Sequence, residues 1–477
     1  MDTMDKNLPI RVRFAPAPTG LMHLGNVRTA LMNYLFAKQK KGTFIVRIED
    51  TDTQRNYDPE AKKIIEDLTW LSLTHDEGPQ KGGPHVPYFQ SQRNEIYQEY
   101  IKKLQEKNKI YRCFCTPEEL EKKRERQQLL KLPPRYDRTC LKKSAQEIEQ
   151  LLAQKVAYIW RIHLDQTQTI TINDLAHGTI TFDFKNFTDF PLTRTDGTVT
   201  FLFANFVDDM VMEMSHVIRG EDHLSNTANQ AALYQIFNAP LPTFWHLPIL
   251  CNREGKKLSK RDFGFSLTDL ITAGYLPEAI NNYLAIIGGG TFEKEIMSLD
   301  ELVSAINFSA LHSTGHVRYD VEKLQWLNQK WIARLESHDL TQRCLPFLIK
   351  TYPQAATLDQ STLTALLQVI KTDLITLDQV SSALSFIFEA PIVDTVNLTP
   401  GHLQLAVIIK NHLELINKPE EFITKLKQEA KDHNIALNQL FWFLRMALIG
   451  KEHGPTIHEL ITMIGTQEAR NRIEKLL

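Results

Sequence analysis

The stretch Arg13-Phe-Ala-Pro-Ala-Pro-Thr-Gly-Leu-Met-His-Leu-Gly-Asn-Val-Arg-Thr-Ala-Leu31 decides how this chain is read. Ahead of it, residues 10–14 alternate apolar and polar side chains, the period of a half-buried strand. Behind it, Val27, Ala30, Leu31, Tyr34 and Leu35 recur at helical spacing until Gly42, and Phe44-Ile-Val-Arg-Ile48 reads as a second strand. The unit is strand, turn, helix, strand, and its turn holds prolines, glycines and a histidine. Such a turn brings main-chain N–H groups and the positive end of a helix to the carboxyl edge of a sheet, where anions bind. The glycine spacing is neither the dinucleotide fingerprint nor a P-loop, because no Gly-Lys-Ser/Thr follows. Taken alone, the glycines and prolines read first as a structural turn.

A distant stretch shifts that balance. Lys256-Lys-Leu-Ser-Lys-Arg261 sits in a Gly-containing loop and has two lysines bracketing a small residue. A lysine run by itself is usually solvated surface. Together, His23-Leu-Gly-Asn26 and Lys257-Leu-Ser-Lys-Arg261 resemble the two signatures of class I aminoacyl-tRNA synthetases. Arg47-Ile-Glu-Asp-Thr-Asp52, Val217-Ile-Arg-Gly-Glu-Asp-His223 and Gly274-Tyr-Leu-Pro-Glu-Ala279 are similar to segments of bacterial-type glutamyl-tRNA synthetase. The resemblance covers nearly the whole chain, most tightly over 11–56 and 194–285. It implies an α/β Rossmann-like catalytic domain with an α+β insertion, followed by an all-α C-terminal half. It also implies a ligase of protein biosynthesis, joining L-glutamate to tRNA(Glu) through a glutamyl-adenylate at the expense of ATP.

Bulk properties agree with a large soluble enzyme. A chain of 477 residues is too long for one core and suggests two to four domains. Net charge is −2, so any nucleic-acid surface must come from local clustering. Five cysteines in this length argue against a disulfide framework and fit a reducing cytosol. The charged N-terminus enters a strand too soon to hold a signal peptide. The longest apolar runs, such as Leu403 to Ile409, fall far short of the ~20 residues that span a bilayer. A cytoplasmic protein with no membrane association is expected, and a monomer.

The chain divides on texture. Residues 1–109 read as the first half of the nucleotide-binding fold, with helix starts at Asp58-Pro59 and near Arg93, and a glycine- and proline-rich loop over 75–87. Residues 110–188 read as an insertion, which the resemblance assigns to the acceptor end of tRNA. Its Lys122, Lys123, Arg124 and Arg126 suit phosphate contacts, or equally a solvated helix face with Glu118, Glu119, Glu121 and Glu125 as partners. Residues 189–255 resume the fold, and 256–320 carry the lysine loop and a stem-contact region. Residues 321–477 are helical almost throughout, clearest at Leu363–Ile370, Gln404–Ile416 and Leu437–Leu448. By resemblance they grip the anticodon.

Activating an amino acid means attack of its carboxylate on the α-phosphate of ATP, with pyrophosphate leaving. Both reactants are anionic, so positioning and electrostatics carry the step. The resemblance places ATP, with its Mg²⁺, against Pro16, Ala17, Pro18, Thr19, Gly20, His23, Gly25 and Asn26. Lys257, Leu258, Ser259, Lys260 and Arg261 reach it from the loop, with His23, Lys257 and Lys260 as the catalytic set. A guanidinium fork binds a carboxylate bidentately, which makes Arg13 and Arg219 candidates for amino-acid recognition. By resemblance Ala17, Glu49, Phe201 and Asn205 complete the glutamate site. The resemblance implies transfer to the 2′-hydroxyl of the terminal ribose, a step that needs no Ser/His/Asp or Cys/His nucleophile.

Three departures stand out. Ala17 occupies a position where the family usually has serine, and Phe201 one where it usually has tyrosine; each deletes a hydroxyl. Asn26 stands where the first signature often has a second histidine. Cys113-x-Cys115 and Tyr136-x₃-Cys140 are spaced like the zinc site of some family members, although Lys142 replaces the histidine others use. Zinc ligands and free thiols on an insertion both remain open. So do a paralogue that glutamylates a non-cognate tRNA such as tRNA(Gln), and a non-catalytic tRNA-binding protein derived from a synthetase.

Overall fold

In a computed structural model, residues 9–52, 56–259, 261–288, 292–308, 315–391 and 400–476 are described. The chain forms two compact units. One runs to Asp269 and resumes over Ile280–Val321; the other holds Leu270–Ala279 and the chain from Glu322.

In the first unit, β1 (Arg11–Phe14) and β2 (Thr43–Val46) pair in parallel around the crossover helix α1 (Leu24–Gln39). All four residues of β1 are buried, so the half-buried strand expected from its alternation is not what forms. Both faces are covered, as is usual for parallel strands. Its polar residues Arg11 and Arg13 lie buried in ion pairs with Glu77 and Asp209. Gly42 lets the chain turn closely into β2, since a Cβ there would stand 2.5 Å from Ile10 O. Helix α2 (Lys62–Trp70) begins later than the Asp58-Pro59 signal suggests. Ala61 turns left-handed, with φ of 54°, and the Asp58 carboxylate accepts the Ile64 N–H at 3.2 Å from outside the helix. Helix α3 (Asn94–Glu106) forms where its periodicity puts it.

The chain then builds a satellite from β3 (Ile110–Cys113), α4 (Pro117–Leu129), α5 (Ala145–Ala153) and β4 (Ile159–Ile162). Its small core contains Cys113, Phe114 and Cys140, and β3 runs antiparallel to β4. Helix α4 buries none of its residues; Arg124 pairs with Glu121, and Lys123 with Asp137. Strands β5 (Thr169–Asp174) and β6 (Gly178–Asp183) form a hairpin, followed by α6 (Phe201–Val211), β7 (His216–Gly220), α7 (Leu224–Phe237) and β8 (Thr243–Leu247). The resulting sheet has the order β6-β5-β8-β7. This corrects the insertion drawn over 110–188. Its β5–β6 hairpin belongs to the main sheet, because β5 alternates buried and exposed residues and pairs with β8 at Asp174 and Phe244. Ser215 N–H donates to Arg11 O at 3.0 Å, which sets β1 beside β7.

The second unit is helical, and no strand forms among its described residues. Gln360–Ile370, Pro400–His412 and Leu437–Ile449 realise the three clearest periodic segments. Its core runs through Leu348, Leu367, Leu405, Phe422, Phe443, Leu448 and Ile461. The region drawn as 256–320 is split between the units. Leu276 and Ala279 pack into this helical core, and Gly274 O accepts the Leu377 N–H at 3.0 Å.

Candidate active site

A cavity of about 320 Å³ opens where the carboxyl ends of β1, β7 and β8 meet the N-terminus of α1. His23 caps that helix. Its Nδ1 accepts the Asn26 N–H at 3.2 Å, while Asn26 Oδ1 accepts the His23 N–H at 3.3 Å. With Nδ1 used as acceptor, the ring proton sits on Nε2. Burial, then the neighbouring Lys257, holds the imidazole below its ordinary pKa, so it is a neutral donor at pH 7. A Cβ at position 25 would come within 2.9 Å of the His23 ring, which calls for Gly25. The first turn of α1 carries no acidic residue, leaving its positive end for a ligand.

Deeper in the cavity the charges are balanced unevenly. Arg13 clamps Asp209 with both arms, Nε to Oδ1 at 2.9 Å and Nη2 to Oδ2 at 3.1 Å. Asp209 also takes Arg47 Nη1 at 2.7 Å. Burial raises the pKa of Asp209, but Arg13 and Arg47 more than offset it and hold the carboxyl ionised. Arg47 reaches Glu49 Oε1 at 2.9 Å, and the same oxygen accepts from Asn205 Nδ2.

Arg219 has no such partner. It is buried, and its Nη2 donates to Thr227 Oγ1 and Gln230 Oε1, each at 2.7 Å. No carboxylate among the described residues pairs with it. Burial, then repulsion from Arg13, lowers its pKa to about 10. A buried cation with neutral partners is a site for an anion. Arg28 is similar; it donates to Pro248 O, and burial lowers its pKa to about 10.

At the mouth, Lys257 Nζ lies 3.2 Å from Asp222 Oδ2, and both are largely exposed. The loop that carries it is stitched to the cavity on either side. Leu258 N–H donates to Leu250 O at 2.9 Å, and Leu24 N–H donates to Phe265 O at 3.0 Å.

Comparison with known proteins gives this geometry its context. Residues 9–326 match the family described as tRNA synthetases class I (E and Q), catalytic domain, and residues 339–477 match an anticodon binding domain. The chain belongs to this class I synthetase family. Among its relatives is the glutamate–tRNA ligase 2 of Caldicellulosiruptor saccharolyticus, 35% identical over 98% of both chains. The glutamate–tRNA ligase of Clostridioides difficile is 36% identical over 97% of this chain and 98% of that one. A crystal structure of a glutamate tRNA ligase from Elizabethkingia meningosepticum, in complex with its amino acid, superposes with a TM-score of 0.87. It is 32% identical and covers 98% of this chain and 99% of its own.

Within the synthetase fold, the cavity gathers Arg13, His23, Gly25, Asn26, Glu49, Phe201, Asn205, Arg219, Lys257 and Leu258. Pro16, Ala17, Pro18, Thr19, Gly20, Ser259 and Arg261 lie outside its lining, and Ala17, Thr19 and Gly20 are exposed. Lys260 lies outside the described residues. The fork of Arg13, expected to hold a carboxylate of the substrate, is filled by Asp209. Asn26, which looked like a lost histidine, completes the cap with His23. Sequence reasoning missed Arg28, Thr227, Gln230 and His246. Only Arg28 left a trace, as a charged residue on the apolar side of α1 within the opening stretch.

In the satellite, the sulfurs of Cys113, Cys115 and Cys140 all lie within 4.8 Å of one another. The Tyr136 hydroxyl stands 3.4 Å from Cys113 Sγ and 3.8 Å from Cys115 Sγ. The Tyr136 hydroxyl thus lies beside the three-cysteine cluster.

Proposed function

We infer that this chain ligates L-glutamate to tRNA(Glu) through a glutamyl-adenylate, with transfer of the glutamyl group to the terminal ribose. The observation that carries the amino-acid assignment is Arg219, a buried guanidinium with neutral partners only. A side-chain carboxylate would neutralise it, whereas the amide of glutamine would leave its charge uncompensated. Glu49, whose Oε1 is held by Arg47 and Asn205, offers its remaining valence to the α-ammonium group. Arg13 contributes positive field beside it, its own fork being occupied by Asp209.

ATP would lie along the α1 N-terminus, where His23 presents Nε2–H to a phosphate oxygen without adding charge. The glutamate α-carboxylate attacks the α-phosphorus, the bond to pyrophosphate breaks, and Lys257 at the mouth faces the departing charge. Lys260 is assigned the same work on the strength of the resemblance. Mg²⁺ enters with ATP, held by phosphate oxygens, because the two acids lining the cavity, Glu49 and Asp222, are each engaged by a cation. The anticodon is assigned to the helical unit. No described helix is long and apolar enough to cross a membrane. The reaction is placed in the cytoplasm, with the chain acting as a monomer.

The thiol cluster fits zinc. Cys115 Sγ and Cys140 Sγ are 3.5 Å apart, close to the edge of a tetrahedron of zinc thiolates, and three sulfurs are the donor set that zinc prefers. Cys113, Cys115 and Cys140 would hold it with Tyr136 as fourth ligand, and it would staple a satellite with few buried residues.

ATP–pyrophosphate exchange with each amino acid, with and without tRNA, followed by charging of tRNA(Glu), tests the function. Exchange with glutamate is expected. Glutamine or a third amino acid used more efficiently would sink the assignment.

A further inference from the structure

The partners of Arg219 are brought together by strand register. Arg219 on β7 sits opposite His246 on β8, and Asp174 ends β5, the next strand, opposite Phe244. Three neighbouring strands thus set Asp174, His246 and Arg219 side by side, although 72 residues separate the first pair and 27 the second. Asp174 and His246 are completely buried at the side chain, and Asp174 Oδ2 lies 2.6 Å from His246 Nδ1.

Donor sense along this row follows by elimination. The Asp174 carboxylate accepts the proton of His246 Nδ1, so Nε2 of the neutral ring is an acceptor. It lies 2.8 Å from Thr227 Oγ1 and also accepts from Arg219 Nε at 3.5 Å, and the Thr227 hydroxyl proton has this nitrogen and His223 O, at 3.3 Å, as its acceptors. That leaves Thr227 Oγ1 to accept from Arg219 Nη2. The second proton of Nη2 goes to Gln230 Oε1, and Gln230 Nε2 donates to Asn205 Oδ1 at 2.7 Å. Asn205 must then present its amide protons to Glu49. Both protons of Nη2 are used within the protein, while Nη1 makes no hydrogen bond among the described residues, and Arg219 lines the cavity.

We infer that Thr227 and Gln230, backed by His246 and Asp174, are positioning and specificity residues of the amino-acid site. They orient Arg219 through neutral acceptors alone and so leave its whole charge to a side-chain carboxylate. Arg13 and Arg47 show the alternative: the fork of each is taken by a carboxylate of the protein, Asp209 for both and Glu49 besides for Arg47. An acid at position 230 would turn Arg219 into a third such pair. Gln230 also links the two ends of the substrate site, since its amide fixes Arg219 on one side and Asn205 on the other.

This inference rests on the reading of Arg219 as the glutamate side-chain site. It is tested by ATP–pyrophosphate exchange in the presence of tRNA, with glutamate and with glutamine, on the wild type, Thr227→Val, Thr227→Ser, Gln230→Glu and Arg219→Gln. Thr227→Val should raise the KM for glutamate about tenfold while kcat and the KM for ATP stay within about twofold, and Thr227→Ser should restore it. Gln230→Glu should raise the glutamate KM about a hundredfold and narrow the preference for glutamate over glutamine. The inference is overturned if Arg219→Gln is impaired while Thr227→Val and Gln230→Glu keep the wild-type KM. It is overturned equally if kcat and both KM values deteriorate together and Thr227→Ser gives no rescue, the mark of a merely structural role. Should Thr227→Val fail to fold, Gln230→Glu decides. A wild type that activates no glutamate refutes the proposed function itself, a result separate from these.

Discussion

Replacing Arg219 by glutamine should move stability and activity in opposite directions. The fold holds this guanidinium at about 10, well below its ordinary range, which disfavours the charged form by about 3 kcal/mol. The group is a base whose folded pKa is lowered, so this cost is present at every pH below about 10. It lessens only as the pH rises beyond that value, and it does not vary across the neutral range. Glutamine removes the cost but strips a donor from Thr227 and Gln230, a loss of about 1–2 kcal/mol. The variant should therefore be more stable than the wild type by about 1–2 kcal/mol. Arg13→Gln is the contrast. It breaks a buried bidentate pair with Asp209 and should destabilise by about 3 kcal/mol. In the reaction the order reverses for Arg219: the substrate carboxylate loses a charge-assisted partner in a buried site. That amounts to about 3–5 kcal/mol, or a fall in kcat/KM for glutamate of about a few hundred- to a few thousand-fold. Thermal unfolding without ligands and ATP–pyrophosphate exchange measure the two effects. An Arg219→Gln protein that melts several degrees low, as Arg13→Gln should, would refute the reasoning. So would one that keeps kcat/KM for glutamate within about tenfold of the wild type.

Phe201 lines the cavity with its ring 5.9 Å from that of His223, so Phe201→Tyr should lower the KM for glutamate by about 2- to 12-fold. Ala17→Ser should act more weakly because Ala17 is exposed and outside the lining; an unchanged KM in Phe201→Tyr would discard the idea. Lys260→Ala should slow adenylate formation by about two orders of magnitude in single-turnover assays with glutamate binding retained, and a change confined to KM would remove its assigned role. Protein purified without chelator should contain about one zinc per chain and lose it in Cys113→Ser, whereas metal far below one per chain speaks against the site. His23, His223 and His246 are all held below 6.5, chiefly by burial, so below that pH the unfolded chain binds protons that the folded one does not. The melting temperature should fall between pH 7 and pH 5, and a constant or rising value would contradict the burial of these rings as neutral groups.

Much of the site was legible because its parts sit in short local signals. His23 and Gly25 lie within one turn of a helix start, and Lys257 and Leu258 within one loop. Glu49 follows β2 closely, and Arg219 lies within β7. Periodicity likewise located α1, α3, α7 and the helices of the second unit, since each buries a face that repeats along its own sequence. Two signals misled. The alternation in β1 suggested a wet face, yet its arginines are buried against acids from distant segments. The apparent change of texture at residue 110 joined β5 and β6 to a satellite, although β5 pairs with a strand some 70 residues later.

The sequence by itself determined the family, the strand–turn–helix frame and several of the residues that line the cavity, because motif and period are local properties of a chain. Only the tertiary structure decided how the charges are apportioned. Arg13 and Arg219 look alike in sequence, each near the carboxyl end of a strand, yet one is paired with Asp209 on α6 and the other is not. That difference depends on which residues β5, α7 and β8 deliver beside Arg219: Asp174, Thr227, Gln230 and His246. Their register is set by the pairing of whole strands and the packing of helices on them, and no local pattern encodes it.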